Sequence, residues 1–309
     1  MVSDRKRASE PDQLAELSDR LAAEAERFVA EMNFGFLLKP KRKLFHTGWN
    51  ADTAELDSFA YAWLASESHI ASLIAIAKND IPYTHWACLG RRVVAVAGRP
   101  TLLSWNGTMF EYLMPNLWMK QYPDTLFSQT ARAAVLRHQE YGRACDIPWG
   151  ISESACAEKV ESGDYRYYAF GVRELAANPE QESSRVVAPY AALLALSVAP
   201  RAAIENLQAQ VARGWLARYG FYEAADFTGS SQQETVVRIF MAHHQGMSLF
   251  SLNNVLHENC MSERFHREPM IDAVALLLQE RCVRHALAQR NDSRSEVVGG
   301  KKELVRTVA

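Results

Sequence analysis

Glu153 sits in the run Pro148-Trp149-Gly150-Ile151-Ser152-Glu153-Ser154, directly after a Pro-Trp-Gly turn and between two hydroxyls. So apolar a setting is costly for an ionised side chain unless partners surround it. Two further segments set an acid among aromatics beside a glycine: Ser104 to Tyr112, with Trp105 and Glu111, and Tyr219 to Phe227, with Tyr222 and Glu223. One such segment has a plain explanation in a hydrogen-bonded core glutamate. Three in one chain point to a cleft lined by aromatic faces and carboxylates, which suits sugar rings and their cleavage.

Glu67 lies in Trp63-Leu64-Ala65-Ser66-Glu67-Ser68-His69-Ile70. A helical reading stacks it with Trp63, Ile70 and Ile74 on an apolar stripe. Either a neighbouring arginine or backbone amide holds it there as a structural acid, or desolvation raises its pKa so that it donates a proton near neutrality. Glu153 reads the opposite way. Ser152, Ser154 and nearby amides are expected to keep it ionised, as a nucleophile or base requires. Two carboxylates in different protonation states are what glycosyl transfer needs. His243 and His244 are adjacent, so on a helix they point about 100° apart and make poor joint metal ligands. One is expected to pack in the core and the other to reach a sugar hydroxyl or a catalytic glutamate. Tyr165, Tyr167, Tyr168 and Phe170 read equally well as sugar platforms or as loop packing.

The rest of the composition narrows the class. The formal net charge of -2 argues against nucleic acid as the main partner. No apolar run is long enough to span a bilayer, and Met1 to Glu10 lacks the apolar region of a secretory signal. The 5 cysteines stand at scattered spacings without a Cys-x-x-Cys pair, which supports neither a disulfide framework nor a zinc cage. A reducing, cytoplasmic setting fits. There is no Gly-x-Ser-x-Gly elbow, no phosphate-cradling glycine loop and no His-Glu-x-x-His, so no metal or cofactor is expected.

The elements that must position these residues read as mostly helical. Residues 12–32 carry Leu14, Leu17, Leu21, Ala25 and Phe28 at helical spacing, an amphipathic helix with one buried face. Residues 58–78 are apolar on nearly every side and read as a buried helix, and residues 235–258 as another. Residues 91–103 read as a short hairpin, and helices are expected over 110–121, 125–144, 189–198, 200–214 and 269–282. Alternation of apolar and amphipathic helices predicts an all-α fold, an α/α barrel of inner and outer helices whose rim loops carry the site. The expected division is a flexible segment 1–11, a barrel domain 12–285 and a disordered tail 286–309.

The segments Leu103 to Pro115, Pro148 to Ser154, Arg218 to Glu223, Met241 to Ser248 and Leu276 to Arg281 resemble the glycoamylase-like cyclization domain of bacterial cyclic β-1,2-glucan synthases. The resemblance runs almost continuously over residues 32–284. It implies an (α/α)6 barrel that transfers β-1,2-glucan chains to their own ends by a retaining mechanism, with little hydrolysis. Glu67 would be the acid/base and Glu153 the nucleophile, because the Leu-Ala-Ser-Glu and Gly-Ile-Ser-Glu-Ser motifs both stand here. Trp105, Glu111, Tyr112, Trp149, Tyr222, Glu223, His243, His244 and Gln245 would contact glucose units in the same cleft. The implied partners are β-1,2-glucan and other parts of a synthase, with the inner membrane reached only through such a partner. An inverting endo-β-1,2-glucanase and an idle glucan-binding or docking remnant are the alternatives. The loop 157–182 departs from the family, with Asp164-Tyr165-Arg166-Tyr167-Tyr168 where the family has an Asn-Tyr-Gln-Tyr run.

Overall fold

The computed structural model describes residues 10–229 and 234–281. The expected flexible start, apart from the helix that opens at Glu10, and the expected tail lie outside the described residues. Ten α-helices are described: α1 (Glu10–Glu31), α2 (His69–Ala77), α3 (Thr84–Cys88), α4 (Met109–Leu113), α5 (Leu126–Cys145), α6 (Pro189–Leu194), α7 (Pro200–Ala212), α8 (Ala242–Leu256), α9 (Cys260–His266) and α10 (Pro269–Val274). The boundaries of α5, α6 and α7 follow their local signals. Thr125 caps α5 by accepting the Ser128 N–H, and Pro189 and Pro200 occupy first turns, where a missing N–H costs nothing.

α6 is the centre of the packing: every one of its residues is buried, and it contacts α4, α7 and α8. α8 continues to α9, α9 to α10, and α10 packs back against α2, so the end of the described chain meets its beginning. A large apolar cluster runs through these helices from Leu44 to Leu278. Glu280 fastens the closing segment. It takes two charge-assisted bonds from Arg91 and one from Trp86 Nε1, while its carbonyl accepts the Leu126 N–H.

Strand structure is richer than the single hairpin expected. That hairpin is present, Val93–Val96 paired with Arg99–Leu102 and packed on α5. A second hairpin pairs Ser154–Lys159 with Tyr165–Tyr168. It lies on a three-stranded sheet in which Ala224–Asp226 runs between Thr235–Val237 and Val186–Val187. Ala155, Cys156, Val186, Ala224 and Val237 form a small second core there.

Three expected helices are corrected. Residues 58–68 are extended and turned, and only His69–Ala77 is helical. Phe59, Tyr61 and Trp63 alternate with Ala60 and Ala62, which is the period of a strand and keeps the three rings on one side. Residues 235–237 are a strand, and α8 starts only at Ala242. α8 also buries its polar face: Ser251 Oγ donates to the Leu193 carbonyl and Asn254 Nδ2 to the Leu117 carbonyl, while Leu249 and Leu256 face solvent. These bonds satisfy carbonyls at the ends of neighbouring short helices, which outweighs burying leucine. Residues 110–121 hold α4, then a tight turn at Met114–Leu117. The stripe of α1 is exposed rather than buried, with Leu14 at 65% and Phe28 at 57% of their surface.

Among the described residues, no helix is long and apolar enough to cross a membrane.

Candidate active site

Isolated bridges assemble the site. Trp63 pairs with Gly90, Ala65 with Ser104, and Ser104 with Ala176, so the segment bearing Glu67 lies beside the loop bearing Trp105. Ile151 pairs with Val187, and its carbonyl accepts the Met109 N–H at the start of α4. Gly150 makes the entry possible. Its φ of +117°, a conformation that side-chain-bearing residues rarely adopt, reserves the position for glycine. That turn delivers Glu153 beside the other two segments.

A cleft of about 560 Å³ results, lined by Glu67, Glu153, Glu111, Trp105, Asn106, Phe59, Tyr61, Trp63 and Arg42, among others. Glu67 occupies the turn before α2, not the middle of a helix. Burial raises its pKa, opposed by its own backbone amide, by Ser66 Oγ at 3.0 Å and by the Tyr61 hydroxyl. Glu153 is pushed up to about 8, first by burial, then by the charges of Glu67 and Glu111. This reverses the expectation that hydroxyls keep Glu153 ionised. Ser152 Oγ is taken by the Phe110 N–H at 3.0 Å and by Tyr190 Oη at 2.8 Å. Ser154 Oγ is buried without a partner among the described residues, and none of them donates to the Glu153 carboxyl. Burial and the charge of Glu67 both favour the protonated form of Glu153.

Glu111 is buried to 4% exposure and fully engaged by its own loop. It accepts from Ser104 Oγ at 2.8 Å, Asn106 N–H at 3.1 Å and Thr108 N–H at 2.9 Å, closing a capping box on α4. It therefore holds the loop that presents Trp105, which is 46% exposed on the cleft.

The other expected sugar contacts are not among the residues lining this cleft. Tyr112 is core: its hydroxyl lies 3.0 Å from the Leu102 carbonyl and 2.9 Å from that of Leu175. Trp149 is buried on the far side of its turn, exchanging backbone bonds with Asn206. Tyr222 packs on Phe240 at 5.3 Å, and Gln245 Nε2 donates to the Phe221 carbonyl. Glu223 and His244 are buried together, with His243 on the surface beside them. Their cluster reaches Glu153 from behind, through Tyr190, whose hydroxyl donates to the Glu153 carbonyl at 3.0 Å. Sequence reasoning missed Phe59, Tyr61, Arg42, Asn106 and Tyr190. The alternating Phe-Ala-Tyr-Ala-Trp run was the available signal for the first two.

Residues 60–269 match the model of the Glycoamylase family. The chain belongs to that family. Over 291 residues it is 38% identical to the cyclic β-(1,2)-glucan synthase NdvB of Rhizobium meliloti, a match covering 93% of this chain and 10% of that synthase. An endo-β-1,2-glucanase from Chitinophaga pinensis, solved with sophorotriose and glucose, superposes with a TM-score of 0.67 at 17% identity, over 84% of this chain and 65% of the glucanase. A β-1,2-glucanase from Parabacteroides distasonis gives 0.66 at 14%, over 89% of this chain and 42% of that one. These two show the fold. The Glycoamylase region contains both Glu67 and Glu153, and with them the whole loop that diverges at 157–182.

Proposed function

We propose that this Glycoamylase-family chain is a carbohydrate-active enzyme on β-1,2-glucan, a retaining transglycosylase that joins a linear chain to its own end. The observation that carries this reading is the pair Glu67 and Glu153, facing one aromatic-lined cleft, each with its pKa raised by burial. The similarity to a cyclic β-(1,2)-glucan synthase supports the linkage and the outcome. The same similarity supports an (α/α)6 toroid, of which the described helices and the contact of α10 with α2 would be part. A place in the cytoplasm beside other synthase parts belongs to the same proposal.

In the proposed mechanism a glucose ring stacks against Trp105 or the Phe59-Tyr61-Trp63 face, with its C–H groups on the aromatic surface. In the reacting state Glu67 carries a proton and gives it to the leaving oxygen. Glu153, now ionised, attacks C1 and forms a glycosyl–enzyme; Glu67 then takes a proton from the 2-hydroxyl of the incoming chain end.

A second reading has a specific observation behind it, the superposition on an endo-β-1,2-glucanase: an inverting hydrolase with the same two carboxylates. Azide rescue on an aryl β-1,2-glucooligosaccharide separates the two. With Glu67→Ala the retaining enzyme releases a β-glycosyl azide from the trapped intermediate, and with Glu153→Ala an α-glycosyl azide by direct displacement. An inverting enzyme gives no β-azide from Glu67→Ala, and its wild type releases an α-anomer first.

A further inference from the structure

Behind Glu153 the buried pair Glu223 and His244 makes a second arrangement that the cleft chemistry does not use. His244 Nδ1 lies 2.9 Å from Glu223 Oε2, and Glu223 Oε1 accepts the Ala155 N–H at 3.1 Å. When both oxygens accept, His244 carries a hydrogen on Nδ1, and in the neutral ring Nε2 is then bare. That Nε2 lies 3.5 Å from Tyr167 Oη, so the tyrosine hydrogen turns toward His244. Tyr167 pairs with Ala155 across the second hairpin, two residues from Glu153, and feels the Glu153 charge. Tyr190 stacks on His244 with centroids 3.8 Å apart and directs its own hydroxyl to the Glu153 main chain.

We propose that Glu223 and His244 are positioning residues for Glu153: they turn the Tyr167 hydroxyl hydrogen away from it and leave its carboxyl without a hydrogen-bond donor. A carboxylate without donors is a stronger nucleophile than one held by them, a consequence that rests on the role proposed above for Glu153. The groups that face Glu153 are Glu67, Glu111 and Tyr61 on the cleft side and Tyr167 and Tyr190 behind, with Glu223 beyond those two tyrosines. Those that face His244 are Glu223, Tyr167, Tyr190 and His243.

Glu223→Gln tests the device. The new amide keeps its oxygen on the Ala155 N–H and turns its NH₂ to His244 Nδ1, which must then accept. The ring hydrogen moves to Nε2 and donates to Tyr167, freeing the tyrosine hydrogen for Glu153. The readouts are the His244 tautomer by ¹⁵N NMR and the Glu153 titration by ¹³C NMR, both in the substrate-free protein. Wild type is expected to show hydrogen on Nδ1 and Glu223→Gln on Nε2, with the Glu153 midpoint lower by at least about one pH unit. Tyr167→Phe should leave the midpoint in place, and the double variant should return it to the wild-type value. A wild-type Nε2–H tautomer, an unmoved midpoint in Glu223→Gln, or a raised midpoint in Tyr167→Phe would overturn the proposal. Should Glu223→Gln fail to fold, the wild-type tautomer and Tyr167→Phe decide it alone. None of these readouts needs substrate, so they fail separately from the glucan reading, which fails if Glu153→Gln stays active.

Discussion

Replacing Glu153 by glutamine should stabilise the protein above about pH 5, by an amount that grows with pH until about pH 8. The carboxyl titrates at about 8 in the folded chain against an ordinary 4.5. A folded pKa above the unfolded one means that the folded state holds the proton more tightly. Its contribution is complete below about pH 4.5 and is lost as the pH rises through 8. The interval of about 3.5 pH units at about 1.36 kcal/mol each sets an upper limit near 5 kcal/mol. Side-chain relaxation and water entry at the cleft reduce this by about half. Glutamine mimics the protonated form and carries no charge to desolvate. At roughly 1.5–2 °C per kcal/mol for a chain of this size, Glu153→Gln should melt about 4–5 °C above wild type at pH 8.5 and within about 1 °C of it at pH 5. Calorimetric scans at half-unit pH steps would trace the rise. A difference in Tm that does not change with pH, or a variant less stable than wild type at pH 8.5, would refute the account of how Glu67 and burial act on Glu153.

Three more outcomes follow from the same geometry. Tyr61→Phe removes a hydroxyl that donates to Glu67, so the Glu67 midpoint should move upward by about one pH unit in a ¹³C titration; a downward movement would contradict the contact. Trp105→Ala takes away a half-exposed ring on the cleft and should raise KM for β-1,2-glucan about 5- to 30-fold while kcat stays within about twofold. Glu111→Ala leaves three donors of its loop and of α4 unmatched and should cost about 2–4 kcal/mol in chemical denaturation; a change in KM at unchanged stability would instead make Glu111 a sugar contact.

Helices that announce themselves by caps and prolines were legible: α5 begins after Thr125, and α6 and α7 begin at Pro189 and Pro200. So were the hairpin at 93–102 and the glycine turn that delivers Glu153. The segment 58–68 was misread because apolar density was weighed above period, and an alternating Phe-Ala-Tyr-Ala-Trp run is a strand signal. α8 escaped for a different reason. Its buried Ser248, Ser251 and Asn254 serve carbonyls on distant helices, and no local pattern shows a polar face that long-range backbone needs have turned inward. The two central glutamates were legible from their settings, but the rise in the Glu153 pKa was not. Serines flanking Glu153 looked like its partners, yet one serves Phe110 and Tyr190, and the other has no partner among the described residues. Likewise Trp149 and Tyr112, attractive as sugar platforms by type, proved to be fastened by backbone bonds into the core. Residue type names what a side chain can do; only the turn before it decides which way it faces.

The central claim is that Glu67 and Glu153 transfer a β-1,2-glucan chain to its own end. Its most direct test is incubation of the chain with long linear β-1,2-glucan, followed by digestion with an exo-acting β-glucosidase and mass analysis. The account predicts digestion-resistant products lighter by one water than the linear chains of the same length, absent with Glu153→Gln. Short reducing oligosaccharides alone, or a bound but unchanged substrate, would contradict it.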